Sequence, residues 1–114
     1  MDDAMNVINL TPHQLRIFGT HDRQVILPPY KGKPARVDSY DLWGGFVKIA
    51  GIQVDINEHT LGEVVDLPEP QDGVWYVVSL IVKQACPERN DLLSPGPILR
   101  DEKGRPYGCK GLRK

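Results

Sequence analysis

Short apolar runs punctuated by proline, glycine and polar turns set the rhythm of this chain. Val7-Ile8-Asn9-Leu10 is halted by Thr11-Pro12 and predicts a first strand. Leu15-Arg16-Ile17-Phe18 and Gln24-Val25-Ile26-Leu27 flank the turn-rich Gly19-Thr20-His21-Asp22, the pattern of a β-hairpin. Pro28-Pro29 ends it, because proline has no N–H to give a ladder. Residues 30–34 read as a loop, and Ala35-Arg36-Val37 returns to extended structure. Gly44 and Gly45 are expected to break the next segment. Phe46–Ala50 and Ile52–Ile56 then bracket Gly51, and Ile52-Gln53-Val54-Asp55-Ile56 alternates strictly, as a strand with one wet face does. After the loop Leu67–Gly73, Val74-Trp75-Tyr76-Val77-Val78 is the most apolar and β-prone run and predicts a central, doubly buried strand. Ser79 suits the N-cap of a short helix over Leu80–Cys86, bounded by Pro87. Asn90–Pro97 reads as a loop, and Ile98–Arg100 and Arg105–Cys109 flank Asp101-Glu102-Lys103-Gly104 as a further hairpin. The fold class expected is α+β: a single small domain over residues 1–114, mostly antiparallel sheet with hairpins and one short helix.

Composition narrows the class without changing the architecture. At 114 residues, 40% hydrophobic and 25% charged, the chain is long enough for one core and too short for two ordinary domains. The net charge of -1 argues against non-specific coating of a nucleic-acid polymer. The charge is uneven: ten acids against six bases in residues 1–70, and six bases against two acids in the last fifteen residues. A basic C-terminal end suits a phosphate or an acidic partner, or equally a solvated tail. The chain opens Met1-Asp2-Asp3 with no apolar leader, and its longest apolar stretch, Val74–Val82, is too short to span a bilayer. Cys86 and Cys109 lack ladder spacing and read as two reduced thiols of a cytoplasmic protein.

Most catalytic patterns are missing. There is no phosphate-binding glycine loop, no nucleophile elbow and no zinc-protease helix. His13, His21 and His59 share no close spacing with each other or with a cysteine, so neither a metal nor a cofactor is expected. Three polar clusters remain. Asn9, Thr11 and His13 alternate where the first strand meets Pro12, placing donors, acceptors and a neutral-pH titrating group at a strand end; the same residues also suit a local Asx or Ser/Thr turn. Arg36 follows a Pro/Gly loop, and its planar fork suits phosphate or carboxylate. Arg89, Arg100 and Asp101 form the third group, in which Arg89–Asp91 and Arg100–Asp101 are alternatively internal ion pairs.

Together with the stretches Asn9-Leu10-Thr11-Pro12-His13, Pro28-Pro29, Ala35-Arg36-Val37, Leu67-Pro68-Glu69-Pro70, Tyr76-Val77-Val78-Ser79 and Arg100-Asp101-Glu102 with Gly104, Gly108 and Cys109, the chain resembles a family of small proteins of bacteriophages, prophages and actinobacteria. The resemblance spans nearly the whole sequence and implies a setting rather than a mechanism. Compact phage proteins include inhibitors of host defence, some of which sequester cyclic or ADP-ribose-type nucleotides. The function expected on that analogy is a non-catalytic, homo-oligomeric binder of a small anionic, nucleotide-like ligand in the cytoplasm of the host, with no membrane contact. Arg36, Arg89 or Arg100 would clamp phosphate, Asn9 and His13 would bond base or ribose, and Trp43, Trp75 or Tyr76 would stack. Two other classes stay open: an enzyme cleaving such a ligand with His13 as general acid or base, and a protein-interaction or virion-accessory module without a small ligand.

Overall fold

The computed structural model describes residues 6–114. Its elements run β1 (Asn6–Asn9), β2 (Leu15–Phe18), β3 (Gln24–Leu27), β4 (Arg36–Ile49), β5 (Ile52–Val65), β6 (Val74–Val77), α1 (Leu80–Ala85), β7 (Leu92–Pro95), β8 (Ile98–Arg100), β9 (Pro106–Lys110) and β10 (Leu112–Arg113), with a 3₁₀ turn at Thr20–Asp22. They form two four-stranded sheets, ordered β1-β6-β7-β10 and β3-β2-β9-β8, and a separate two-stranded ribbon, β4-β5.

The hairpins β2–β3 and β8–β9 and the helix lie where the sequence predicts them. The mostly antiparallel sheet does not hold for the body, where both sheets are mixed: β1–β6, β6–β7 and β2–β9 pair in parallel. Parallel pairs need crossovers, and the chain supplies them by α1 between β6 and β7 and by long excursions elsewhere. Two local expectations also change. The Asn90–Pro97 loop contains β7, whose neighbours β6 and β10 supply its ladder from distant sequence. Gly44 and Gly45 do not interrupt a strand but sit in a bulge within the 14-residue β4.

The core forms where β6 feeds α1. Tyr76, Val78 and Val82 are essentially sealed from water and pack with Leu10, Ala35, Cys86 and Leu92, and Val77 is as deeply buried. The Tyr76 hydroxyl reaches the Glu69 carbonyl at 3.4 Å, so its burial leaves the O–H partnered. Ser79 caps α1, its Oγ accepting from the Val82 N–H, and the Cys86 N–H closes the last turn onto the Lys83 carbonyl. In the second sheet Ile17 and Cys109 lie side by side on the parallel β2–β9 pair, both buried.

A backbone crossing stitches the two sheets together. Pro95-Gly96-Pro97 carries the chain from β7 to β8, and Gly111 carries it from β9 to β10. There the Gly96 N–H donates to the Gly111 carbonyl at 3.0 Å, the Lys110 N–H to the Pro97 carbonyl at 2.9 Å, and the Gly111 N–H to the Phe18 carbonyl at 3.0 Å.

The ribbon departs from this body. Val37 and Val64 at its base pack against the core, and β4 touches α1 there. Beyond the base it projects freely: the radius of gyration is 18.4 Å, against about 13 Å for a compact chain of this length, and the molecule measures 66 × 40 × 23 Å. Ala50 and Gly51, both at positive φ (51° and 80°), turn the tip in the type I′ geometry that matches strand twist.

Candidate functional site

The residues expected to gather in one pocket are placed in separate surroundings. Asn9 is buried and fully engaged: Oδ1 accepts from the Thr11 N–H (2.9 Å) and hydroxyl (2.6 Å), while Nδ2 donates to the carbonyls of His13 (2.8 Å) and Leu27 (3.0 Å). The Thr11 hydroxyl also lies 3.0 Å from the His13 carbonyl. The cluster is thus the local-turn alternative, an Asx-type knot that anchors the end of β1 to the loop before β2 and to the end of β3.

The arginines are likewise engaged within the chain. Arg36 pairs with Asp38 on the exposed base of β4. Arg89 grips both oxygens of Asp91 at 2.8 Å and donates to the Pro68 carbonyl at 2.9 Å, with both side chains largely buried. Its hydrogen bonds hold the Asp91 carboxyl below the ordinary aspartate range. Arg100 donates to the Gly104 carbonyl rather than to Asp101. Asp101 instead accepts from the Lys103 and Arg105 backbone N–H groups and the Arg105 side chain, which lowers its pKa and pins the β8–β9 turn.

Two clefts each receive one of these side chains. One, of about 550 Å³, is lined by His13, Gln14 and Arg16 on one side and by Pro95, Ile98 and Tyr107 among the residues opposite. The other, of about 410 Å³, is bordered by Arg89 and Asp91 together with Trp75 and Asp72. Asn9, Thr11, Arg36, Arg100 and Asp101 line neither. Burial raises the Cys86 thiol, which makes it a packing group and a poor nucleophile. Among the described residues no three His, Cys, Asp or Glu side chains converge as metal ligands, and no helix is long and apolar enough to cross a membrane.

The strongest feature is one that the sequence reading divided into fragments. Residues paired directly across a ladder share a face, and the face alternates along each strand. Ile49 pairs with Ile52, Val47 with Val54, Leu42 with Glu58 and Tyr40 with Thr60, so these residues and Ile56 lie on one face of the β4–β5 ribbon. Its seven apolar side chains are 40% to 67% exposed. The opposite face carries Lys48, Gln53, Asp55, Asn57 and the Asp41–His59 pair, with Trp43 and Phe46 among them. Trp43 Nε1 lies 3.4 Å from Asp55 Oδ1, as the register requires. The bulge at Gly44-Gly45 keeps Leu42 and Val47 on the same side; a Cβ on Gly44 would meet the Glu58 side chain and the Ile56 carbonyl at 3.3 Å. The ribbon is patterned as a sheet with one dry and one wet face, and both faces are open to solvent.

Glu58 is the one charged side chain on the apolar face between residues 40 and 60, and it sits toward the base. The seven side chains leave roughly 700 Å² open, more than the few hundred Å² that a soluble monomer ordinarily exposes in one patch. The signal lay in Tyr40-x-Leu42, Val47-x-Ile49 and Ile52-x-Val54-x-Ile56, the first two separated by a glycine pair that reads as a break until the bulge is seen. No family model, no curated protein and no solved structure matches this chain.

Proposed function

We propose that this protein is a non-catalytic interaction module that works by docking the apolar face of its β4–β5 arm onto a protein surface. The supporting observation is the seven-residue apolar face on a ribbon that stands clear of the body. A two-stranded ribbon is marginally stable alone in water, so an arm of this length gains from a surface that covers its dry side. Cytoplasmic residence, including that of a host cell for a phage protein, suits the two free, buried thiols.

The arm's two faces provide the test. A photoactivatable side chain placed at Ile52, on the apolar face, should give discrete protein adducts in cells, whereas the same group at Gln53, on the wet face, should give few. Equal labelling from both positions, or none from either, would discard the docking role.

A second reading keeps the small anionic, nucleotide-like ligand and is favoured by the His13–Arg16 cleft, whose apolar wall includes Ile98 and whose rim carries Tyr107. Such a site combines a stacking ring, a cation and a neutral-pH hydrogen-bonding group. On that reading the protein would act as a sponge for a nucleotide signal of host defence. Native mass spectrometry with cyclic and ADP-ribose-type nucleotides should then show a stoichiometric adduct that Arg16→Ala and His13→Ala weaken at least about tenfold, or by roughly 1.4 kcal/mol. Recovery of a cleaved nucleotide would favour an enzyme, and no mass shift would remove the ligand from the account.

A further inference from the structure

Resting on the docking role of the arm, we infer that its occupant is a second copy of this chain, the two arms lying face to face and antiparallel about a two-fold axis near Ile56. The first support is area. Roughly 700 Å² exposed on one arm approaches the about 800 Å² that each partner contributes to a stable interface of standard size, so the arm supplies most of the area that a dimer needs. The second is self-complementarity. An isologous contact requires one patch to fit itself, and an apolar face whose single charge, Glu58, lies to one side of the axis does so without setting the two carboxylates against each other. The chain's net charge of -1 adds little mutual repulsion.

Geometry selects the antiparallel arrangement. Packed sheets lie about 10 Å apart. Parallel arms would bring two bodies to the same end of that narrow gap, although the molecule is 23 Å across even along its shortest axis. They would also hold the two Glu58 carboxylates at one level, diagonally across the contact, closer together than antiparallel arms do. Antiparallel arms send the bodies to opposite ends, carry the two Glu58 side chains to either side of the axis, each over Val54 of the other copy, and lay Ile49 over Tyr40 and Ile52 over Thr60. Trp43 and Phe46 remain on the outer faces, beside the polar residues of that side.

The first measurement is sedimentation equilibrium of the full chain across micromolar concentrations, where the expected mass is twice 12.8 kDa. Ile52→Lys, which sets a lysine into each half of the contact, should raise the dissociation constant by more than about 100-fold, whereas Lys48→Glu on the wet face should leave it unchanged. Circular dichroism of both variants checks that the body is intact. Orientation is read by single exposed thiols in a chain whose two cysteines are buried: a short bis-maleimide, which spans the gap between packed sheets, should link two copies of Ile56→Cys, whereas Ile52→Cys at the tip, which only parallel arms bring together, and Gln53→Cys on the outer face should not. A single 12.8 kDa species at every concentration, or crosslinking through Ile52→Cys or Gln53→Cys in place of Ile56→Cys, overturns the antiparallel dimer. If that monomer still gives face-specific adducts to another protein from Ile52, only the self-pairing fails; if it gives none, the docking role falls with it.

Discussion

Gly96→Ala is expected to strip the protein of a large part of its stability. A Cβ at that position would lie 2.0 Å from the Lys110 carbonyl oxygen and 2.8 Å from that of Gly111, both rigid backbone atoms. Relief requires the two chain segments to separate by more than an ångström, which breaks the paired bonds between Gly96 and Gly111 and between Pro97 and Lys110. Rotation away from the clash is blocked on both sides, because Pro95 and Pro97 hold φ near the proline value. Since this crossing joins the two sheets, the strain falls on both at once. A loss of about 4 kcal/mol or more is expected, a large part of the roughly 5–15 kcal/mol that holds a domain of this kind together. Gly104→Ala is the control: its φ is +80° but its surroundings are open, so only the backbone penalty of about 1–2 kcal/mol applies. Urea titration followed by circular dichroism compares the two, and a Gly96→Ala protein within about 1 kcal/mol of the parent would show that the crossing can relax.

Asn9→Ala is expected to cost about 3 kcal/mol, since it strips partners from the Thr11 N–H and the Leu27 carbonyl and weakens the support of the His13 carbonyl. The informative companion is Asn9→Asp. It keeps the shape and the acceptor toward Thr11, but faces two carbonyl oxygens with a carboxylate oxygen in place of an N–H₂. It should be at least as damaging as alanine despite being nearly isosteric, because a buried carboxylate set against two carbonyl oxygens, acceptor facing acceptor, replaces two hydrogen bonds. Equal stability of Asn9→Asp and the parent, by the same urea titration, would mean that the amide donors contribute nothing.

The sequence speaks clearly where structure is local. The β2–β3 and β8–β9 hairpins, the strand at Val74–Val77 with its buried end at Tyr76–Val78, and the Ser79-capped helix each depend on neighbours within a few residues, and each is present. Strand direction across long separations is different: nothing in Val7–Asn9 or Val74–Val77 states that they run parallel, and Leu92–Pro95 becomes a strand only because β6 and β10 arrive beside it. The candidate pocket dissolved for a related reason. Asn9, Arg89 and Asp101 are polar residues near turns, which is equally the signature of groups that bind a ligand and of groups that fasten the backbone. The arm escaped notice because alternation marks a face to be covered and does not say by which molecule.

The parallel β2–β9 pair sets the order in which the protein can be built. Hairpin β4–β5 closes around two residues and can form within microseconds, as soon as residue 65 is free. The second sheet has no centre until Cys109 has left the ribosome and reached Ile17 across almost the full length of the chain. From residue 65 onward, then, the nascent protein carries a finished apolar ribbon on an unfinished body, and ribbons on neighbouring ribosomes of one messenger can meet before either body has closed.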